Sequence, residues 1–319
     1  MPADPNAASP RSAVAANGAS AFLEARDFLL SNRCDYTTAY KGFRWPKLDT
    51  FNWAVDYFDV MAAGNNRPAL TITNRCAEDQ TFSFAELSER SNQVANFLVQ
   101  LGTGRGDRVL VTLGNDVALW EIILAALKVG FVVVPTSSAI HRGEIKDRIE
   151  RGRVGYIVAS GDIAERFTSV AGSTTLISVC GVAKGWMRYE EAYNQPKQFE
   201  PRCVTSGTDP LLLYFTSGTT AKPKLVLHSQ HSYPVGHLST MYWIGIMPGD
   251  LHWNISAPGW AKHAWSSFFA PWNAGACILA SNEPRFSAAA ALDTLVQKRV
   301  STLCAPPTAW RMIVKEDLR

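Results

Sequence analysis

Apolar positions along the chain change period repeatedly, from short continuous runs to stripes spaced three and four residues apart. In "TFSFAELSERSNQVANFLVQLG" (81–102), Leu87, Val94, Leu98 and Leu101 share one helical stripe. Ser83 and Glu86 form a capping box ahead of it and Gly102 closes it, which predicts an amphipathic helix with both ends marked. "GDRVLVTL" (106–113), "FVVVP" (131–135), "VGYIVAS" (154–160) and "TLISV" (175–179) are short and rich in β-branched residues, and predict strands. Helical stretches separate them, from about Asp116 to Lys128, after His141 and near 162–170. Upstream, "FNWAVDYFDVMA" (51–62) has helical spacing and "PALTITN" (68–74) alternates like a strand. Downstream, helices near 231–246, from about 262 and at 287–299 alternate with the strands "LHWNIS", "ACILA" and "STLCA". The pattern predicts an α/β fold of stacked βαβ sub-domains, with mainly parallel sheets covered by helices on both faces.

"QPKQFEPRCVTSGTDP" (195–210) is polar and marked by proline, so a sub-domain connection is expected there. This divides the chain into a first α/β sub-domain over 21–200 and a second over 201–319. The opening 20 residues are rich in Ala, Pro, Ser and Asn and lack the apolar centre of a signal peptide, so a disordered tail is expected. The longest apolar segment, 119–135, is interrupted by Glu121, Lys128 and Gly130, and predicts a buried helix and strand, not a membrane span.

Composition narrows the function. With 47% hydrophobic and 18% charged residues the chain can bury a substantial core. Its net charge of +3 gives no reason to invoke a nucleic-acid groove or an anionic membrane. Six cysteines, at 34, 76, 180, 203, 277 and 304, form no CxxC pair, which fits reduced thiols better than a disulfide framework or zinc site. A cytoplasmic protein is expected.

The candidate chemistry lies in "LLLYFTSGTTAKPKLVLHS" (211–229). Two apolar runs, Leu211–Phe215 and Leu225–Leu227, should anchor the ends of a loop over Thr216–Lys224. Gly218 admits backbone geometry closed to other residues, and its small neighbours let amide N–H groups approach a ligand. Thr216, Ser217, Thr219 and Thr220 add hydroxyls, Lys222 and Lys224 add charge, and Pro223 fixes the backbone between them. Such a loop suits a polyphosphate. It lacks the glycine before lysine of a Walker A loop, and "GTGRGD" (102–107) precedes a strand and is no dinucleotide fingerprint.

"YFTSGTTAKPKLV" resembles the phosphate-binding signature of the adenylate-forming superfamily, nearest to the acetyl- and medium-chain acyl-CoA synthetase branch. "TFSFAELSERSNQVANFL", "GDRVLVTLGN", "ALKVGFVVVPTS", "APGWAKHAWSSFFAPWNAGA" and "APPTAWRMIVKEDL" follow in the order that the resemblance implies. It implies the N-terminal domain of the adenylate-forming fold and a two-step reaction. A carboxylic acid first reacts with ATP and Mg²⁺ to give acyl-adenylate and pyrophosphate; coenzyme A then takes the acyl group. The resemblance assigns phosphate binding to Thr216, Ser217, Gly218, Thr219, Thr220, Ala221, Lys222, Pro223 and Lys224, with Lys224 as the catalytic cation. Ala221 stands where glycine is usual, and Leu225 replaces the common final glycine.

The resemblance also implies a substrate contact at Trp260, in the "APGW" turn, with core packing as the alternative; Ala257 stands three places earlier, where relatives often carry an acid. Trp265, Phe268, Phe269 and Trp272 follow a helical stripe and are expected in the core. His263 is expected to cap or lie on the surface, with pocket contact as the alternative. His228 and His231 have ligand-like spacing but no further ligand nearby, so no metal is expected there. "HRGEIKDRIERGR" (141–153) reads as a solvated helix face.

The downstream glutamate for Mg²⁺, the ribose-binding aspartate and the mobile C-terminal domain of the superfamily find no match here. The sequence stops inside its last helix, so an incomplete N-terminal domain, inactive alone, is expected. A non-catalytic nucleotide- or acyl-binding relic, or an adenylating enzyme with another acyl acceptor, is the alternative.

Overall fold

The computed structural model describes residues 10–74, 77–181, 183–216, 222–283 and 285–316. The chain opens with helices α1 (Pro10–Ser31) and α2 (Tyr36–Gly42), a π-helical turn at Trp53–Phe58 and α3 (Asp59–Ala62). Helix therefore begins inside the stretch expected as a tail. Strands β1 (Pro68–Thr73) and β2 (Gln80–Ser83) follow, then α4 (Phe84–Gln100), β3 (Arg108–Thr112), α5 (Val117–Val129) and β4 (Val132–Pro135). Next come α6 (Arg142–Gly152), β5 (Tyr156–Ser160), α7 (Glu165–Thr168), β6 (Thr175–Val179) and β7 (Met187–Arg188). The second half contains β8 (Pro210–Thr216), β9 (Lys224–Ser229), α8 (Leu238–Ile244), β10 (Leu251–Asn254) and α9 (Ala261–Ala264). It continues through α10 (Ala270–Ala274), β11 (Cys277–Ser281), α11 (Ala288–Gln297), β12 (Thr302–Cys304) and α12 (Pro307–Ile313).

The strands form two sheets, ordered β12-β10-β11-β1-β2 and β7-β6-β5-β3-β4-β8-β9. Each is parallel apart from one edge strand, β2 in the first and β9 in the second. The division at 200/201 is not the one the sheets make. β8 and β9 join the sheet built from β3 to β7, while β1 pairs in parallel with β11. Strand periodicity says which residues face inward but not which distant strand lies alongside.

Alternation along β3 sends Val109 and Val111 into the main core and Leu110 into a second cluster with Ile145, Ile157 and Phe167. The main core runs from Leu70 and Ile278 of one sheet, through Leu87 and Val94 of α4 and Trp120 and Leu124 of α5, to Val133 of the other. Every residue of α5 is buried, and Gly130 ends it in the left-handed conformation at φ 89°. Its two charges are matched by partners. Glu121 pairs with Arg90 and accepts from the Tyr189 hydroxyl at 2.7 Å and the Tyr193 hydroxyl at 3.0 Å. Lys128 Nζ reaches Asp59 at 2.8 Å and Asn92 at 2.7 Å. The capping box at Ser83 and Glu86 is present as expected. Among the described residues, no helix is long and apolar enough to cross a membrane.

Candidate functional site

β8 and β9 form an antiparallel hairpin whose register runs from Pro210↔Ser229 to Thr216↔Lys224. The expected loop is thus shorter than 216–224, because its first and last residues belong to the ladder. The Thr216 hydroxyl donates to the Lys224 carbonyl at 3.5 Å. Ser217, Gly218, Thr219, Thr220 and Ala221 lie outside the described residues. Lys222 and Lys224 are exposed and Pro223 is half-buried. The flanking runs differ: Leu211 to Tyr214 of β8 are buried, whereas Leu225, Val226 and Leu227 of β9 are exposed. Among the described residues β9 pairs on one side only, so it is not sheltered as the inner strand is.

Helix α6 holds the loop end of this hairpin. Arg151 donates from Nη2 to the Pro223 carbonyl at 2.7 Å and from Nη1 to Asp147 at 2.9 Å. The Arg148 and Arg151 guanidinium carbons lie 5.3 and 5.6 Å from the centroid of the Phe215 ring. Arg148 also donates to the Thr136 hydroxyl at 3.0 Å. Burial lowers the Arg148 pKa against the opposing pull of Glu144 and Asp147. This corrects the sequence reading of 141–153 as a plain solvated face. Nothing in the local acid–base spacing distinguishes arginines that pair along their helix from an arginine that reaches a residue 72 positions further on, as Arg151 reaches Pro223.

The turn carrying Trp260 meets the same region from the other sheet. Gly259 has φ +93°, and a Cβ there would stand 2.5 Å from the Ser137 amide nitrogen and 2.7 Å from the Thr136 carbonyl carbon. Only glycine permits both that conformation and that approach. Trp260 caps α9 and is 64% exposed, so it is not a core residue and its ring is open to a ligand. Beyond it, Lys262 lies beside the thiol of Cys304; burial lowers the lysine pKa while the thiol opposes that shift. Cys304 pairs in register with Asn254, whose buried Oδ1 has no hydrogen-bond partner. Lys262, Cys304 and Asn254 escaped the sequence reading because β10 and β12 come together only in the sheet.

Phe268, Phe269 and Trp272 are buried as expected, while Trp265 is half-buried and stacks on His237 at 5.9 Å. His263 departs from the surface expectation. It is buried, its Nε2 lies 3.3 Å from Asn115 Oδ1, and burial lowers its pKa to about 4. The His228 ring lies tilted against Tyr233, with centroids 4.5 Å apart, and His231 Nε2 lies 3.1 Å from the Pro46 carbonyl, so the two rings serve different contacts. Among the described residues, no group of three His, Cys, Asp or Glu side chains could hold a metal ion.

The described part of the site thus sets the Thr216 hydroxyl, Lys222 and Lys224 at the mouth of a hairpin, with an exposed tryptophan on an adjoining turn. Such donors are suited to an anionic, multi-oxygen ligand. A family model described as AMP-binding enzyme matches residues 58–319. Acyl-coenzyme A synthetase ACSM4, mitochondrial, of Rattus norvegicus is 34% identical over 307 residues, covering 92% of this chain and 51% of the relative. 4-hydroxybutyrate--CoA ligase 1 of Metallosphaera sedula is 35% identical over 277 residues, covering 85% of this chain and 48% of the relative. The chain spans about half the length of the curated relatives it matches. The crystal structure of the anthranilate CoA ligase AuaEII in complex with anthranoyl-AMP superposes with a TM-score of 0.75 at 19% identity, over 85% of this chain and 54% of the other. Brucella canis acyl-CoA synthetase gives 0.71 at 24% identity, over 78% and 46%. At those identities the two structures speak for the fold alone, and the family model and curated relatives carry the assignment: the chain belongs to the AMP-binding enzyme family.

Proposed function

We propose that this chain supplies the phosphate-holding part of an AMP-forming acyl-CoA synthetase. The observation that carries the reading is the hairpin in which Thr216 and Lys224 face each other at the two ends of a sequence of small hydroxyl-bearing residues. In the first step a carboxylate oxygen of the acid bonds to the α-phosphorus of Mg·ATP. The bond from that phosphorus to the bridging oxygen breaks, and pyrophosphate leaves with the electron pair. Loop amides, the hydroxyls of Thr216, Ser217, Thr219 and Thr220, and the ammonium of Lys224 take up the charge that collects on the leaving group. Mg²⁺ arrives with the triphosphate as part of the substrate. In the second step the coenzyme A sulfur bonds to the acyl carbon, AMP leaves, and the thiol proton is lost. Trp260 stands where it can meet the acyl group from the neighbouring turn.

The whole protein is expected to exchange labelled pyrophosphate into ATP only when a carboxylic acid is added, and to form a thioester only with coenzyme A. A panel of acetate, medium-chain and aromatic acids identifies the substrate. No acid-dependent exchange with any of them would sink the reading. The 319-residue chain by itself is expected to bind Mg·ATP without turnover.

A further inference from the structure

We propose that Arg148 and Arg151 are positioning residues that lock the ends of the phosphate-binding hairpin to the turn carrying Trp260. The proposal rests on the ATP-binding reading above and assigns a role to two residues that touch no phosphate themselves.

The contacts form one continuous series. Arg151 is forked: Nη1 is tied to Asp147, one turn back on its own helix, and Nη2 grips the carbonyl of Pro223, the residue before Lys224. The Phe215 ring, immediately before Thr216, lies within 5.6 Å of both guanidinium groups. The two strand ends at the mouth of the loop are therefore held from one helix. Arg148 carries the series on through its 3.0 Å bond to Thr136, whose hydroxyl donates onward to the Val134 carbonyl at 3.2 Å. The Thr136–Ser137 backbone is the surface on which Gly259 rests, one residue before Trp260.

A solvated arginine gains little from a surface partner. Here each guanidinium has a directional acceptor and a shared aromatic face, a geometry suited to fixing position. Phosphate-holding amides work only when they are set in place before the ligand arrives, and small misplacement is costly. The brace holds Phe215 and Pro223, the residues next to the rung from which the loop leaves and to which it returns.

The test uses Arg148→Gln, Arg151→Gln and Arg151→Lys, with calorimetric titration of Mg·ATP and hydrogen exchange of the peptide covering 210–229. Exchange over 84–100 serves as an internal reference. We expect Kd for Mg·ATP to rise about threefold to tenfold in each glutamine variant, as the loss of one or two hydrogen bonds dictates. Exchange over 210–229 should accelerate while 84–100 stays unchanged. Lysine at 151 should not restore binding, because one ammonium cannot bridge Asp147 and Pro223 as a planar fork does. Unchanged exchange over 210–229 in both glutamine variants overturns the brace. So does full rescue by lysine, or acceleration spread equally over the reference helix. If the unsubstituted chain fails to bind Mg·ATP, the ATP reading falls, while the exchange data still decide whether the arginines fix the hairpin.

Discussion

Thr216 and Lys224 are the outermost rung of the β8–β9 ladder, joined by a 3.5 Å bond from the Thr216 hydroxyl to the Lys224 carbonyl. Their pairing closes the mouth of the loop and leaves the lysine side chain exposed at its rim. The backbone of Lys224 thus serves the sheet while its ammonium remains available to a ligand.

Replacing Lys224 by alanine removes that ammonium without opening a buried contact. We expect Mg·ATP affinity to fall roughly tenfold to a hundredfold, the scale of a lost charge-assisted hydrogen bond, with little change in thermal midpoint. In the full-length protein the adenylation half-reaction should fall far more than thioester formation from supplied acyl-adenylate. Calorimetry and the two half-reactions, measured separately, check this; equal loss in both halves counts against it.

Gly259→Ala should disturb the Trp260 turn. The new methyl would collide with the Thr136–Ser137 backbone at 2.5–2.9 Å, and the φ of +93° is strained for alanine. The two terms together amount to about 2–5 kcal/mol. Urea denaturation measures the loss, and a fall below 1 kcal/mol would mean that the turn relaxes freely.

Glu121→Ala strips the centre from a buried polar group and leaves Arg90, Tyr189 and Tyr193 facing an empty position. Burial raises the Glu121 pKa, opposed mainly by the attraction of Arg90. Breaking one side of a buried ion pair costs about 3–5 kcal/mol. We expect a loss of that size in the denaturation free energy, because α5 and the Tyr189–Asn194 turn share this anchor.

Acid should destabilise the fold through its buried histidines. Burial lowers His252 and His263 to about 4 and His237 to about 3, from 6.5. The unfolded chain therefore binds more protons between pH 6.5 and 4. Their contribution is complete above pH 6.5 and drains away as pH falls toward 4, up to about 3 kcal/mol for each of His252 and His263. Urea midpoints at pH 7.5, 6.5 and 5.5 should decrease in that order. His263→Gln should flatten the slope between pH 6.5 and 5.5; an unaltered slope would assign the acid sensitivity elsewhere.

Local chemistry was legible before the structure. The ends of α4 followed from Ser83, Glu86 and Gly102, and the buried strands from runs such as Val132–Pro135. The loop after Phe215 could be singled out because hydroxyls, glycine and lysines are dense in sequence. What stayed hidden depended on partners far along the chain. Leu70 meets Ile278, and Arg151 meets Pro223, through contacts that no local period encodes. The same holds for His263, whose place beside Asn115 and Trp120 removed it from the surface.

The two antiparallel edges have unequal consequences. β2 is short and begins with Gln80 and Thr81, a poor template for another strand. β9 presents Leu225, Val226 and Leu227, the last 56% exposed, along a strand that is the edge of its sheet among the described residues. An apolar rim of that kind recruits further chains. Concentrated solutions of these 319 residues should therefore self-associate through β9, and a lysine at position 227 should keep the molecules apart.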